Sequence, residues 1–123
     1  MKFFFPQPAL ASDEAIQKSW LANHTQRHWR GVGGKLFVTE SRLLFQPNRM
    51  DARLGGQPLA IPLNQITTVG EEPRRLSFRE LFSGGLRTRL RIEVIDGRIE
   101  LFVVQRLSDV VYSLTTQLSE HAA

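Results

Sequence analysis

Gly33–Gln46 reads GGKLFVTESRLLFQ. A two-residue turn at Glu40-Ser41 sets Thr39 opposite Arg42, Val38 opposite Leu43, Phe37 opposite Leu44 and Leu36 opposite Phe45. Side chains alternate between the faces of a strand. One face then carries Leu36, Val38, Leu43 and Phe45, all apolar. The other carries Phe37, Thr39, Arg42 and Leu44, a mixed set. That asymmetry predicts an antiparallel hairpin with one buried and one half-wetted side. Gly33-Gly34 permits a sharp entry into the first strand. Gln46-Pro47-Asn48 ends the second, because proline has no N–H to give to a ladder.

The chain has 123 residues, the size of one domain. It has no cysteine, which excludes disulfides, thiolate metal sites and thiol nucleophiles and fits a reducing compartment. The opening MKFFFPQPALA has an apolar run of three phenylalanines, broken by Pro6 and Pro8 and shorter than the core of a secretory signal. No stretch is long enough to cross a bilayer. The expectation is a soluble, cytoplasmic protein with peripheral membrane contact open to it.

The net charge of +4 is unevenly spread. Between Arg74 and Arg91 six arginines (Arg74, Arg75, Arg79, Arg87, Arg89, Arg91) face one acid, Glu80, a local excess of +5. Such a patch attracts phosphate or an anionic membrane, or is simply a solvated sheet face.

Residues 1–11 have no usable period and read as a loosely attached arm. Phe3, Phe4 and Phe5 either pack back on the domain or dock on a second copy, since adjacent aromatics rarely stay exposed. Ser12-Asp13-Glu14 has the composition of a helix start. Ile16, Lys18, Trp20 and Ala22 instead mark one side of a strand, and a strand over about 15–24 is the favoured reading. Trp20 is expected at the core or sheet end. Arg27–Gly34 reads as a loop and Arg49–Gly56 as a polar connection. Gln57–Leu63 and Ile66–Val69 read as short strands, with Pro62 at an edge or end. Leu76–Phe82 reads as a distorted strand or flap.

LRTRLRIEVI and RIELFVV flank Asp96-Gly97, the favoured two-residue hairpin turn, where both positions tolerate positive φ. Leu90, Ile92 and Val94 share one face. Arg89, Arg91 and Glu93 make a charged outer rib, partly balanced by Glu100. Ser108 to about Glu120 reads as a helix with Ser108 as N-cap, Asp109 on the helix dipole and Leu107 stapled to Tyr112. Val111, Leu114 and Leu118, extended by Leu107 and Val110, form one apolar stripe. His121 onward reads as a frayed tail.

About seven antiparallel strands and one amphipathic helix predict a mainly β fold, a sheet bent over on itself with its open end stoppered by the helix. Residues 12–120 form this domain. Ala22-Asn23-His24, Gly33–Pro47, IPLNQITTV at Ile61–Val69, the hairpin at Leu90–Phe102 and the closing helix together resemble a GRAM domain, of the pleckstrin-homology-like superfamily. The resemblance runs from about residue 15 to 118 and implies a split barrel or sandwich capped by the helix; a stand-alone, single-domain form is expected here, although GRAM domains usually sit in larger proteins. It also implies binding of phosphoinositides, phosphatidylserine or a protein surface.

No catalytic set survives inspection. His24 and His28 are four apart without an HExxH glutamate or a third ligand, and on a strand they stand roughly 13 Å apart. His24 is expected to be a hydrogen-bonded sheet residue. Gly31–Lys35 lacks the hydroxyl residue and following helix of a phosphate loop and reads as a turn. No metal, cofactor or nucleic acid is expected, the last because the basic stretch lacks a stacking platform.

The resemblance places lipid phosphates at the first strand-to-strand loop, here Arg27, His28, Arg30 and Lys35. Arginine can bind phosphate bidentately there, and Trp29 can sit in a bilayer interface. The expected function is a non-catalytic binding module for an anionic phospholipid surface or a protein partner. Its contacts would be these residues with Arg74, Arg75, Arg87, Arg89 and Arg91, and with Phe3, Phe4 and Phe5 for insertion. The alternative is a homo-oligomeric interaction domain without lipid binding, using Phe3–Phe5 with Phe37 and Leu44.

Overall fold

The computed structural model describes residues 4–26, 30–72 and 88–122. Seven strands run in chain order: β1 Ile16–Thr25, β2 Gly31–Thr39, β3 Arg42–Pro47, β4 Leu59–Pro62, β5 Ile66–Glu72, β6 Arg89–Val94 and β7 Ile99–Val104. Two α-helices, α1 at Arg49–Arg53 and α2 at Leu107–Ala122, complete the described elements with a 3-10 turn at Leu63–Gln65. All strand pairs are antiparallel, in the order β4-β3-β2-β1-β7-β6-β5.

The β2–β3 hairpin has the expected register, Leu36 opposite Phe45, Phe37 opposite Leu44 and Val38 opposite Leu43. Leu36, Val38, Leu43 and Phe45 face the core. The opposite face is not half-wetted, which corrects the expectation. Phe37 and Leu44 are 2% and 3% exposed, and Thr39 is fully buried. The N-terminal arm, expected to be loose, supplies anchors along that face. Phe4 O accepts from Arg49 N–H at 2.8 Å, Ala9 O accepts from Arg42 Nη2 at 3.0 Å, and Glu14 meets Thr39, Ser41 and Arg42. Phe37 and Leu44 lie between these anchors along the hairpin.

β1 follows the strand reading, with Trp20 half-buried against the core and Ala22 and His24 buried. Gly31–Gly34 belongs to β2 rather than to a loop. Gly34 is there for close approach: a Cβ at this position would stand 2.2 Å from Gln46 O and 2.8 Å from Pro47 Cα. Arg49–Gly56 contains a helix the polar composition did not announce. Asn48 Oδ1 accepts from Asp51 N–H at 2.8 Å and caps α1. Pro62 ends β4, an edge strand.

The β6–β7 turn is one residue longer than expected. Gly97 N–H donates to Val94 O at 2.8 Å and Val94 N–H to Arg98 O at 2.9 Å. Gly97 has φ +96 while Asp96 does not have positive φ. This is a three-residue connection with a glycine bulge, in which Asp96 instead accepts from Arg98 N–H at 3.0 Å. Glu100 pairs in register with Ile92, so it points inward and does not balance the outer rib. Arg91 is matched by Glu72 at 2.6 Å and Glu93 at 3.0 Å instead.

α2 starts at Leu107, so Ser108 lies inside it, and Tyr112 is 74% exposed rather than stapled to Leu107. The stripe itself is as expected. Val110 and Leu114 are buried, with Leu107, Val111 and Leu118 packed on the core. The helix continues to Ala122, beyond the expected fraying point, and His121 Nδ1 lies 3.2 Å from Glu40 O. It packs against β5, β6 and the 3-10 turn, the gap between the two edges of the sheet. Gln117 and Ser113 meet Gln17 and Lys18 at the start of β1. The helix therefore stoppers one end of the barrel. Among the described residues no helix is long and apolar enough to cross a membrane.

Candidate functional site

β1 is ten residues long, so its other end lies roughly 30 Å from the α2 end. There the sheet opens into a cleft of about 590 Å³. Val32, Leu54, Pro58 and Leu59 wall it, and His24, Gln26 and Glu100 supply polar groups.

The His24 ring is 6% exposed and stacks on Phe102, centroids 4.6 Å apart and planes 23° apart. Its Nδ1 is 2.9 Å from Gln26 Nε2, and its Nε2 is 2.8 Å from Glu100 Oε1. The Gln26 amide is oriented by the backbone of Gln57: Oε1 accepts from Gln57 N–H at 3.0 Å and Nε2 donates to Gln57 O at 2.9 Å. With that orientation Nδ1 of His24 can only accept, so the ring donates from Nε2 to Glu100. His24 is thus the hydrogen-bonded sheet residue expected, in a chain running from Gln57 through Gln26 to Glu100. The side chain of Glu100 is 15% exposed, and its Oε2 is 3.7 Å from Arg98 Nη1.

Among the described residues the predicted cations do not gather here: of Arg30, Lys35, Arg89 and Arg91, Arg30 lines the cleft, and Asp51 (3.2 Å) and the Leu54 carbonyl take its guanidinium. Asp51 also accepts from Gly33 N–H at 2.9 Å, which ties α1 to β2. Lys35 lies within β2 on the outer face, its Nζ 5.4 Å from the Phe5 ring centroid. Phe4 and Phe5 meet edge to face at 4.9 Å and are partly buried on the domain. Arg89 is buried at 3% exposure, and Arg91 is held by its two glutamates. β2 and β6 are separated by β1 and β7, so Lys35 and Arg91 stand three strand spacings apart across the sheet, roughly 14 Å, and the register offsets them further along it. Phe3, Arg27, His28, Trp29, Arg74, Arg75 and Arg87 lie outside the described residues, as does the expected strand or flap at Leu76–Phe82. No group of three or more metal-ligating side chains occurs among the described residues.

Sequence reasoning missed Gln26, Glu100 and the Leu54–Leu59 wall. Gln26 sits one residue past β1, and no motif marks it. Glu100 carried a signal in the alternation of β7, where it shares a face with Phe102.

No protein-family model matches the sequence, and no curated protein does. Solved structures do match. The N-terminal PH domain of Vps36 superposes with a TM-score of 0.62 at 13% identity, covering 93% of this chain and 86% of that one. The fold is pleckstrin-homology-like. The hSac2 domain of the human phosphoinositide phosphatase Sac2 gives 0.59 at 13% identity, covering 91% and 72%. The C-terminal domain of an unknown protein from Leishmania infantum gives 0.65 at 12% identity, covering 85% and 84%. At these identities the likeness concerns the fold of this PH-like chain.

Proposed function

We propose that this PH-like chain is a non-catalytic binding module of the GRAM kind, working in the cytoplasm and engaging a protein partner at the open end of its barrel. The observation that carries the reading is the cleft at that end. It is roomy and apolar-walled with a carboxylate in its lining, and the described cations beside it are already matched, Arg30 by Asp51 and Arg98 by Asp96. An anion entering it would meet Glu100 and would have to displace Asp51 from Arg30. A chain segment with apolar and hydrogen-bonding groups meets no such opposition.

Selection of peptides from a random display library on the immobilised full chain tests this reading. The expected result is enriched sequences that lose binding to Leu54→Trp, which fills the cleft from an exposed position. Enriched peptides indifferent to that substitution, or no enrichment, would overturn it.

A second reading, peripheral binding to an anionic phospholipid surface, is favoured by the charge of residues 27–30 and 74–91. One fold neighbour is named as part of a phosphoinositide phosphatase. Vesicles of phosphatidylcholine, alone or doped with phosphatidylserine or phosphoinositides, decide it: binding should rise with anionic lipid and fall with salt. The homo-oligomeric alternative loses part of its proposed surface, because Phe37 and Leu44 are covered within one chain.

A further inference from the structure

We propose that the cleft receives the cationic side chain of a lysine or arginine from its protein partner, an inference that rests on the protein-partner reading above. Four features of the cleft point the same way.

The first is Glu100. Its side chain is largely buried, lines the cleft, and is set by His24 Nε2–H at 2.8 Å on Oε1. A carboxylate held this way has a fixed direction and reduced access to water, so a charge-assisted hydrogen bond to it is stronger than one on an open surface.

The second is the state of the neighbouring polar groups. His24 spends its donor on Glu100 and its acceptor on Gln26, and both ends of the Gln26 amide are engaged by Gln57. Within this network Glu100 is the charged acceptor, and its Oε2 is the oxygen that His24 does not hold.

The third is the state of the competing cations among the described residues. Arg98 Nη1 approaches Oε2 only to 3.7 Å, longer than a hydrogen bond. Its side chain is 46% exposed, and its Nε is bonded to Asp96 at 2.8 Å. A ligand ammonium or guanidinium at hydrogen-bond distance outcompetes so loose a contact. Arg30 directs its guanidinium to Asp51 and the Leu54 carbonyl.

The fourth is the wall. Val32, Leu54 and Leu59 line the space through which a ligand side chain passes to Glu100. Lysine and arginine carry a methylene stem below the charged head, which suits an apolar wall ending in a carboxylate.

The test is titration of the ¹⁵N-labelled full chain with glycine pentapeptides, amidated and acetylated, carrying one central lysine, arginine or norleucine. Lysine and arginine peptides should shift the amide resonances of His24, Gln26, Leu59 and Glu100. The norleucine peptide, which keeps the stem and lacks the charge, should bind at least about tenfold more weakly. Glu100→Gln should weaken the lysine peptide by a similar factor while leaving the rest of the spectrum in place, because glutamine keeps an acceptor for His24. Leu54→Trp should abolish the shifts. Equal binding of norleucine and lysine peptides, or lysine binding indifferent to Glu100→Gln, would overturn the cationic assignment and leave a partner-binding cleft standing. If no pentapeptide moves these resonances while display-selected peptides do, the cation fails alone. If neither does, the partner reading fails with it.

Discussion

Glu14 and Arg42 grip each other bidentately over the outer face of the β2–β3 hairpin, with Nη2 to Oε1 at 2.6 Å and Nε to Oε2 at 2.9 Å. Thr39 donates to the same carboxylate at 2.7 Å and Ser41 at 3.2 Å. The Glu14 side chain is 3% exposed. A residue between the arm and the first strand thereby joins both strands of the central hairpin.

Glu14→Gln should loosen the arm. Limited proteolysis should cut within residues 4–14 faster than in the parent, and the melting temperature should fall. Arg42→Gln should do the same. The double variant should lose less than the sum of the two, since either change alone already breaks the pair. Additive losses would show that the two residues act separately.

The same site sets an acid limit. The Arg42 guanidinium first, then the Thr39 hydroxyl and the Ala11 N–H, hold the Glu14 carboxyl far below the usual carboxylate range. A depressed folded-state pKa gives stability that is full above the unfolded value, about 4.3, and lost as pH falls below it toward the folded value. Urea unfolding should therefore show stability dropping below about pH 4.3 in the parent, with a shallower drop in Glu14→Gln.

Gly34→Ala should be severe and Gly31→Ala mild. At Gly34 a methyl would collide with the backbone of Gln46 and Pro47, which cannot move without breaking the hairpin. At Gly31 nothing lies within 4 Å. Chemical denaturation should show a loss of several kcal/mol or no folded state for the first, and a change within about 0.5 kcal/mol for the second.

Leu114→Ala should cost about 2–5 kcal/mol through the cavity left under α2, while exposed Tyr112→Ala should change stability by no more than about 0.5 kcal/mol. Paired denaturant melts compare them directly. Similar losses would mean the helix is not seated by its apolar stripe.

Much of the fold was readable where one periodicity held over a whole element. Alternation at Leu36–Phe45 gave the register of the hairpin, and the spacing of Val111, Leu114 and Leu118, extended by Leu107 and Val110, gave the seated face of α2. Reading failed where a local signal competed with a distant partner. Phe37 and Leu44 looked half-wetted because nothing in the hairpin shows that a segment thirty positions earlier is anchored along the same face. Helix α1 was legible in Asn48-x-x-Asp51, a capping spacing, and was hidden by the glycines that follow.

The candidate site was less legible. The cleft joins the end of β1, the segment after α1 and the start of β7, which only the topology brings together. Charge counting pointed to arginines, yet Arg30 and Arg91 face acids that the fold places beside them. The informative residue was a glutamate on the same face of β7 as a buried phenylalanine.

The contact of α2 with β5 has a bearing on how the chain must be handled. β5 ends the sheet on one side, and its backbone groups there would otherwise invite strand addition from a neighbouring molecule. A chain stopped before Leu107 would retain all seven strands yet forfeit its guard, and fibrillar self-association rather than simple unfolding is the hazard to watch for in any C-terminal truncation.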